Sequence, residues 1–303
     1  MTFGTQTKGV YAIAPTPFLP DGALDEASVA RMTAFYGAAG VDGLTILGIM
    51  GEAPKLEPEE SMAVVRGVLA EAGGMPVVVG VSAPGFAAMR RVAQEAMAAG
   101  AAGVMIAPPS SLRTDDQICG YYRQAVAAIG TDIPFVLQDY PTATNVVMST
   151  AVVRRIIEEN PSCVMLKHED WPGLDKISAL RRWQAEDGLR PVSILCGNGA
   201  LFLDFETERG ADGAMTGYAY PEMLIEVVRE TARGNRDAAH DAFDQHLPLL
   251  RYEHQPGIGL AVRKYVLEKR GVIAHRTLRT PGPALSDATI SEIEYLLGRL
   301  NAA

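Results

Sequence analysis

"GVDGLTILG" (residues 40–48), "GAAGVMIAP" (100–108) and "GADGAMTGY" (210–218) share one form, a G-x-x-G start followed by a short, mostly apolar run. A glycine suits the left-handed cap that closes a helix, and the run beyond it has the length of a strand buried on both faces. Each stretch therefore reads as a helix end turning into a strand. Five more apolar runs precede or separate them: "GVYAIAP" from Gly9, "MPVVVGV" from Met75, "IPFVLQD" from Ile133, "CVMLKHE" from Cys163 and "PVSILCG" from Pro191. Most strand starts lie roughly 30 residues apart, and helical patterns such as "DEASVARMTAFYGAAG" and "STAVVRRIIEEN" fill the intervals. Strand and helix alternating eight times predict a (β/α)8 barrel. The alternative is a doubly wound open sheet, which calls for a glycine-rich fingerprint after the first strand; "IAPTPFLPDG" does not supply one.

From about Tyr220 the strand runs stop and three helical patterns follow. The expected organisation is a barrel over residues 1–219 and a C-terminal helical bundle over 220–303, packed on it without a linker.

The chain has 303 residues, of which 48% are hydrophobic, ample for one large core. Its formal net charge is -9 and its lysines and arginines are dispersed, so neither nucleic acid nor a membrane is expected as a partner. The opening "MTFGTQTKGVYAIAPTPF" has no apolar stretch of signal-peptide length, and no segment approaches the roughly 20 apolar residues of a spanning helix; a cytoplasmic protein is expected. Cys119, Cys163 and Cys196 lack a CxxC pairing and read as reduced, buried thiols. His168, His240, His246, His254 and His275 show no ligand spacing, so no metal is expected.

Aligned on the repeat, Cys163 matches Gly43, Gly103 and Gly213, and Lys167 falls at a strand end. Side chains alternate along a strand, which puts Cys163, Met165 and Lys167 on one face. In a barrel that face opens at the carboxyl ends of the strands, where active sites sit. Without the barrel, Lys167 is simply a solvated residue leaving a strand.

With "GVYAIAPTPFLPDGALDEASV" at the first strand, "LGIMGEAPKLEPEE" after the second and "VMLKHED" at the sixth, the sequence resembles the dihydrodipicolinate synthase and N-acetylneuraminate lyase superfamily over nearly its whole length. The resemblance implies a (β/α)8 barrel whose strand-six lysine, here Lys167, forms an imine with a 2-oxo acid, without metal or nucleotide cofactor. The amine must be neutral to attack a carbonyl, which desolvation favours. The loop after strand two would hold the substrate carboxylate, with Gly48 and Gly51 letting the backbone N–H groups of Ile49, Met50 or Gly51 converge on it. Read from spacing alone, the same loop is a helix-capping turn. Glu52 reads as an anchor for the loop.

The chain departs from the synthase pattern at several places. Two threonines of the loop are Ile49 and Met50, the strand-five tyrosine is Gln138 with Tyr140 two residues on, a neighbouring subunit's tyrosine aligns with Ser110, and a carboxylate-binding arginine aligns with Ala143. These losses argue against 4-hydroxy-tetrahydrodipicolinate synthase activity. "QDYP" with "KHE" looks more like the branch that dehydrates 2-keto-3-deoxy sugar acids. Glu169 is then the candidate general acid/base, with a solvated carboxylate or counter-ion to Lys167 as the plainer reading. Gln138 would bind substrate or water, and Tyr140 would fill the mouth. Gly197, Asn198 and Thr216 end strands seven and eight and should line it, though turn chemistry explains Asn198 equally well. Ile49 and Met50 are also less polar than that branch, which keeps open a pyruvate-dependent aldolase or a hydratase-aldolase acting on hydrophobic 2-oxo acids. A noncatalytic barrel binding a small acid is the rival from another class. The resemblance also implies a homo-oligomer, a tetramer or dimer.

Overall fold

The computed structural model describes residues 3–171 and 173–302. Eight parallel strands, β1 (Gly9–Ile13), β2 (Gly43–Ile46), β3 (Val77–Gly80), β4 (Gly103–Ile106), β5 (Phe135–Asp139), β6 (Cys163–His168), β7 (Ser193–Cys196) and β8 (Gly213–Ala214), close into a barrel in chain order. The eight apolar runs are these strands. Helices α1 (Glu26–Ala39), α2 (Pro58–Glu71), α3 (Phe86–Ala98), α4 (Asp115–Ile129), α5 (Pro141–Thr144), α6 (Thr150–Glu159), α7 (Leu174–Glu186) and α8 (Leu203–Glu208) lie between them. Four more follow β8: α9 (Pro221–Ala232), which packs against β1, then α10 (Arg236–Glu253), α11 (Gly259–Lys269) and α12 (Asp287–Ala302).

Both glycines of the repeat have a physical reason. Gly40, Gly100 and Gly210 turn the chain with φ of +86°, +105° and +97°, a region closed to most side chains. Gly43 and Gly103 sit where the barrel floor is crowded: a Cβ on Gly43 would lie 2.3 Å from the Tyr11 ring, and one on Gly103 would lie 2.5 Å from Phe3.

A small inner cluster, including Tyr11, Val78, Met105, Val136, Met165 and Leu195, fills the barrel, and a larger layer packs between strands and helices. β6 departs from the expected alternation. Phe135 pairs with Cys163 but Val136 pairs with Met165, so Val164 is an extra residue on β6. This bulge places Val164 beside the inner cluster and Cys163 in the outer layer, not on the face of Met165. Beyond it, Gln138 pairs with Lys167 in regular register. All three cysteines are free and buried, and burial pushes the Cys163 thiol up to about 12.

Candidate active site

A cavity of about 530 Å³ opens at the carboxyl ends of the strands, the end where barrels of this class keep their chemistry. Lys167 and Glu169 project into it, each only 5% exposed, with Lys167 Nζ 3.1 Å from Glu169 Oε2. The carboxylate is held from two further sides. Gln138 Nε2 donates to Oε2 at 2.7 Å, and the Asn198 backbone N–H donates to Oε1 at 3.2 Å. Room for this carboxylate comes from a missing side chain, since a Cβ on Gly197 would lie 2.3 Å from Glu169 Cγ.

The backbone carrying Glu169 is fixed from behind. Its N–H donates to the Asp139 carbonyl at 2.9 Å. Lys176 of α7 bonds Asp139, the Met148 carbonyl and Asp170, tying the end of β5 to the loop after β6. Burial pushes the Asp139 carboxyl up, and Lys176 opposes that shift.

After β2 the chain makes a 3-10 turn, Ile49–Gly51. Gly48, Ile49 and Met50 line the cavity, but Gly51 does not. Its N–H donates to the Gly48 carbonyl at 3.0 Å and its own carbonyl accepts from Thr16 Oγ1 at 2.6 Å. The Gly51 amide, expected to face an anion, is thus consumed in closing the turn, while those of Ile49 and Met50 open it and have no acceptor inside it. Glu52 anchors this loop from beneath: its carboxylate bonds Lys264 Nζ and Lys55 Nζ and accepts from the Arg279 N–H.

Tyr140, Asn198 and Thr216 line the cavity as well, whereas Gly197 lies behind Glu169. Burial, with the Glu169 charge second, pushes the Tyr140 phenol up. The sequence reading missed the far wall, contributed by α10, α11 and the turn between them. Arg263, 2% exposed, donates to the Glu253 carboxylate and lies against the Met50 sulfur. Burial pushes the Glu253 carboxyl up, opposed by Arg263. His254 bonds Asn198 Oδ1 through Nε2 at 3.1 Å, and burial lowers its imidazole below the ordinary range. Trp171 also lines the cavity; it stands four residues past Lys167 but carries no motif that marks it. Among the described residues one group could offer metal ligands, His168, Cys196 and Glu206, whose donor atoms lie within 4.8 Å of one another. It sits on the helix-facing side of β6 and β7, and His168 Nδ1 already bonds Glu206 at 3.1 Å.

The Dihydrodipicolinate synthetase family model matches residues 6–299. The chain belongs to that family. Members of the dihydrodipicolinate synthetase family are lyases, so the chain belongs to a family of enzymes. An L-2-keto-3-deoxyarabonate dehydratase from Azospirillum brasilense is 30% identical over 299 residues, covering 97% of this chain and 94% of that protein. A 4-hydroxy-tetrahydrodipicolinate synthase from Sorangium cellulosum is 31% identical over 301 residues, covering 97% and 96%. A solved dihydrodipicolinate synthase structure from Rhodopseudomonas palustris superposes with a TM-score of 0.97 at 59% identity, over 99% of each chain. Among the described residues no helix is long and apolar enough to cross a membrane.

Proposed function

We propose that this dihydrodipicolinate synthetase family member is an imine-forming lyase that dehydrates a 2-keto-3-deoxy acid. The reading rests on one observation: an amine and a carboxylate, Lys167 and Glu169, lie 3.1 Å apart, both buried, in a cavity at the carboxyl ends of the barrel strands. Lys167 Nζ adds to the C2 carbonyl, and the oxygen leaves as water to give a protonated imine. That cation acidifies C3. Glu169 takes the C3 proton, the electron pair is held as an enamine, and the C4–O bond breaks as Glu169 hands that proton to the departing hydroxyl, which leaves as water. Hydrolysis of the imine then frees Lys167 and releases an acid that has lost one hydroxyl and no carbon.

Gln138 supports this reading by fixing which way the Glu169 carboxylate faces. The carboxylate of the acid is assigned to the amides of Ile49 and Met50. Neither side chain carries a hydroxyl, which disfavours 4-hydroxy-tetrahydrodipicolinate synthesis through a threonine relay. A homo-oligomer belongs to the same proposal and is read by sedimentation.

The test is borohydride reduction with pyruvate followed by intact mass. The protein should gain one reduced pyruvate adduct and Lys167→Ala should gain none; wild-type protein without an adduct would leave a noncatalytic acid-binding barrel. Product analysis with a 4-hydroxy-2-oxo acid then separates the lyases, because pyruvate released together with a shorter aldehyde means aldol cleavage.

A further inference from the structure

We infer that the acid taken at this site carries an uncharged, apolar group of about ring size beyond C4, received by a wall that includes Ile49 and Trp171. This rests on the 2-oxo acid reading of the Lys167 site and specifies the other end of the same molecule.

Five large hydrophobic side chains are left exposed among the described residues, and two of them, Ile49 at 53% and Trp171 at 47%, line this one cavity. Exposed apolar surface gathered at a concave site marks what the site is built to cover. Trp171 does not stand alone. Its ring packs edge-on against Phe202, centroids 4.7 Å apart at 65°, a geometry that aromatic pairs prefer and that fixes the indole in place. Leu201, Pro256 and Leu260 extend the apolar lining.

Several polar groups near this wall are already engaged with one another. The Asn198 side chain is bonded to His254, and Gln255 Nε2 donates to the Tyr252 carbonyl at 2.8 Å. Gln138 is bonded to Glu169. Arg263, the one guanidinium lining the cavity among the described residues, is bonded to Glu253. A second carboxylate on the substrate would therefore meet no free cation, and a polyhydroxylated tail would lose water against Ile49 and Trp171 with only the Tyr140, Thr142 and Thr216 hydroxyls of the cavity to replace it. Stripping hydroxyls of water without replacement is costly, whereas an apolar group gains by the same burial. The cavity, about 530 Å³, also has room well beyond a three-carbon acid.

Calorimetric titration of the whole protein with 4-phenyl-2-oxobutanoate and with a 2-keto-3-deoxypentonate tests this. The phenyl acid should bind at least about 10-fold more tightly. Trp171→Ala, and separately Ile49→Thr, should each bring the ratio of the two affinities toward one. A pentonate that binds as tightly as the phenyl acid, or a ratio that neither substitution moves, overturns the inference. Borohydride trapping with the same two acids reads the imine separately. Adducts with both acids and no preference sink the apolar end alone, whereas the preference without an adduct upholds the apolar end and sinks the imine.

Discussion

Glu52 and Lys264, 212 positions apart in the chain, form a buried ion pair of 2.7 Å that fastens the loop after β2 to helix α11. Glu52 adopts a left-handed φ of +53°, unusual for a side-chain-bearing residue and held here by its three partners. Lys264 is wholly buried, with its Nζ 4.6 Å from the Phe18 ring centroid and bonded to the Thr277 carbonyl. Glu52→Ala strands that ammonium without its counter-charge and should destabilise the protein by about 3–5 kcal/mol. The double variant Glu52→Leu with Lys264→Met should lose less than Glu52→Ala alone. Urea unfolding of the three proteins checks this, and a double variant at least as unstable as the single would refute it.

Glu169→Gln keeps the shape of the side chain and removes its basicity. Turnover should fall about 10²- to 10⁴-fold, while borohydride still traps pyruvate on Lys167. Loss of trapping together with turnover would show instead that Glu169 chiefly orders the lysine. Unchanged turnover would remove Glu169 from the chemistry.

Gly197→Ala tests the packing behind the carboxylate. The new methyl group meets Glu169 Cγ, so the carboxylate must shift by about an ångström, a displacement worth roughly 10²-fold in rate. The substitution is expected to lower kcat far more than it lowers Tm. A variant with wild-type kcat would mean that the position of Glu169 does not matter.

His246 gives a pH signature. Its Nδ1 lies 3.0 Å from the Tyr218 hydroxyl, and burial lowers the imidazole from 6.5 to about 4, with the Glu222 charge opposing that shift and the Arg270 charge adding a smaller push in the same direction. Between these values the unfolded chain binds the proton and the folded protein does not, so the contribution is complete above about 6.5 and is lost as pH falls toward 4. Stability measured across that window should decline more steeply for wild type than for His246→Gln. Parallel curves would exclude His246 as the source.

The barrel was legible because the residues that specify it are local: a left-handed glycine, then an apolar run, repeated at strand spacing. The bulge in β6 was not legible. Alternation counted from Cys163 reaches the right face for Lys167 while assigning Cys163 to the wrong one, since an extra residue enters only through pairing with β5. Position along the strand was enough to bring Lys167 to the barrel mouth, whereas Glu169 and Gln138 came from the family resemblance. Arg263, Glu253 and His254 had no such handle, because helical periodicity says which residues form α10 and α11 but not that their junction docks over the barrel mouth. The fate of the Gly51 amide was equally hidden, depending on a turn that closes only in three dimensions.

The turn between α10 and α11 is both a wall of the cavity and the start of the helix that Glu52 holds down. Ligand occupancy and docking of the C-terminal helices are therefore thermodynamically linked. An acid at about 100 times its Kd adds about 2.7 kcal/mol to whatever opening would break the wall, so protection of the α11 amides from hydrogen exchange becomes a measure of how full the barrel mouth is.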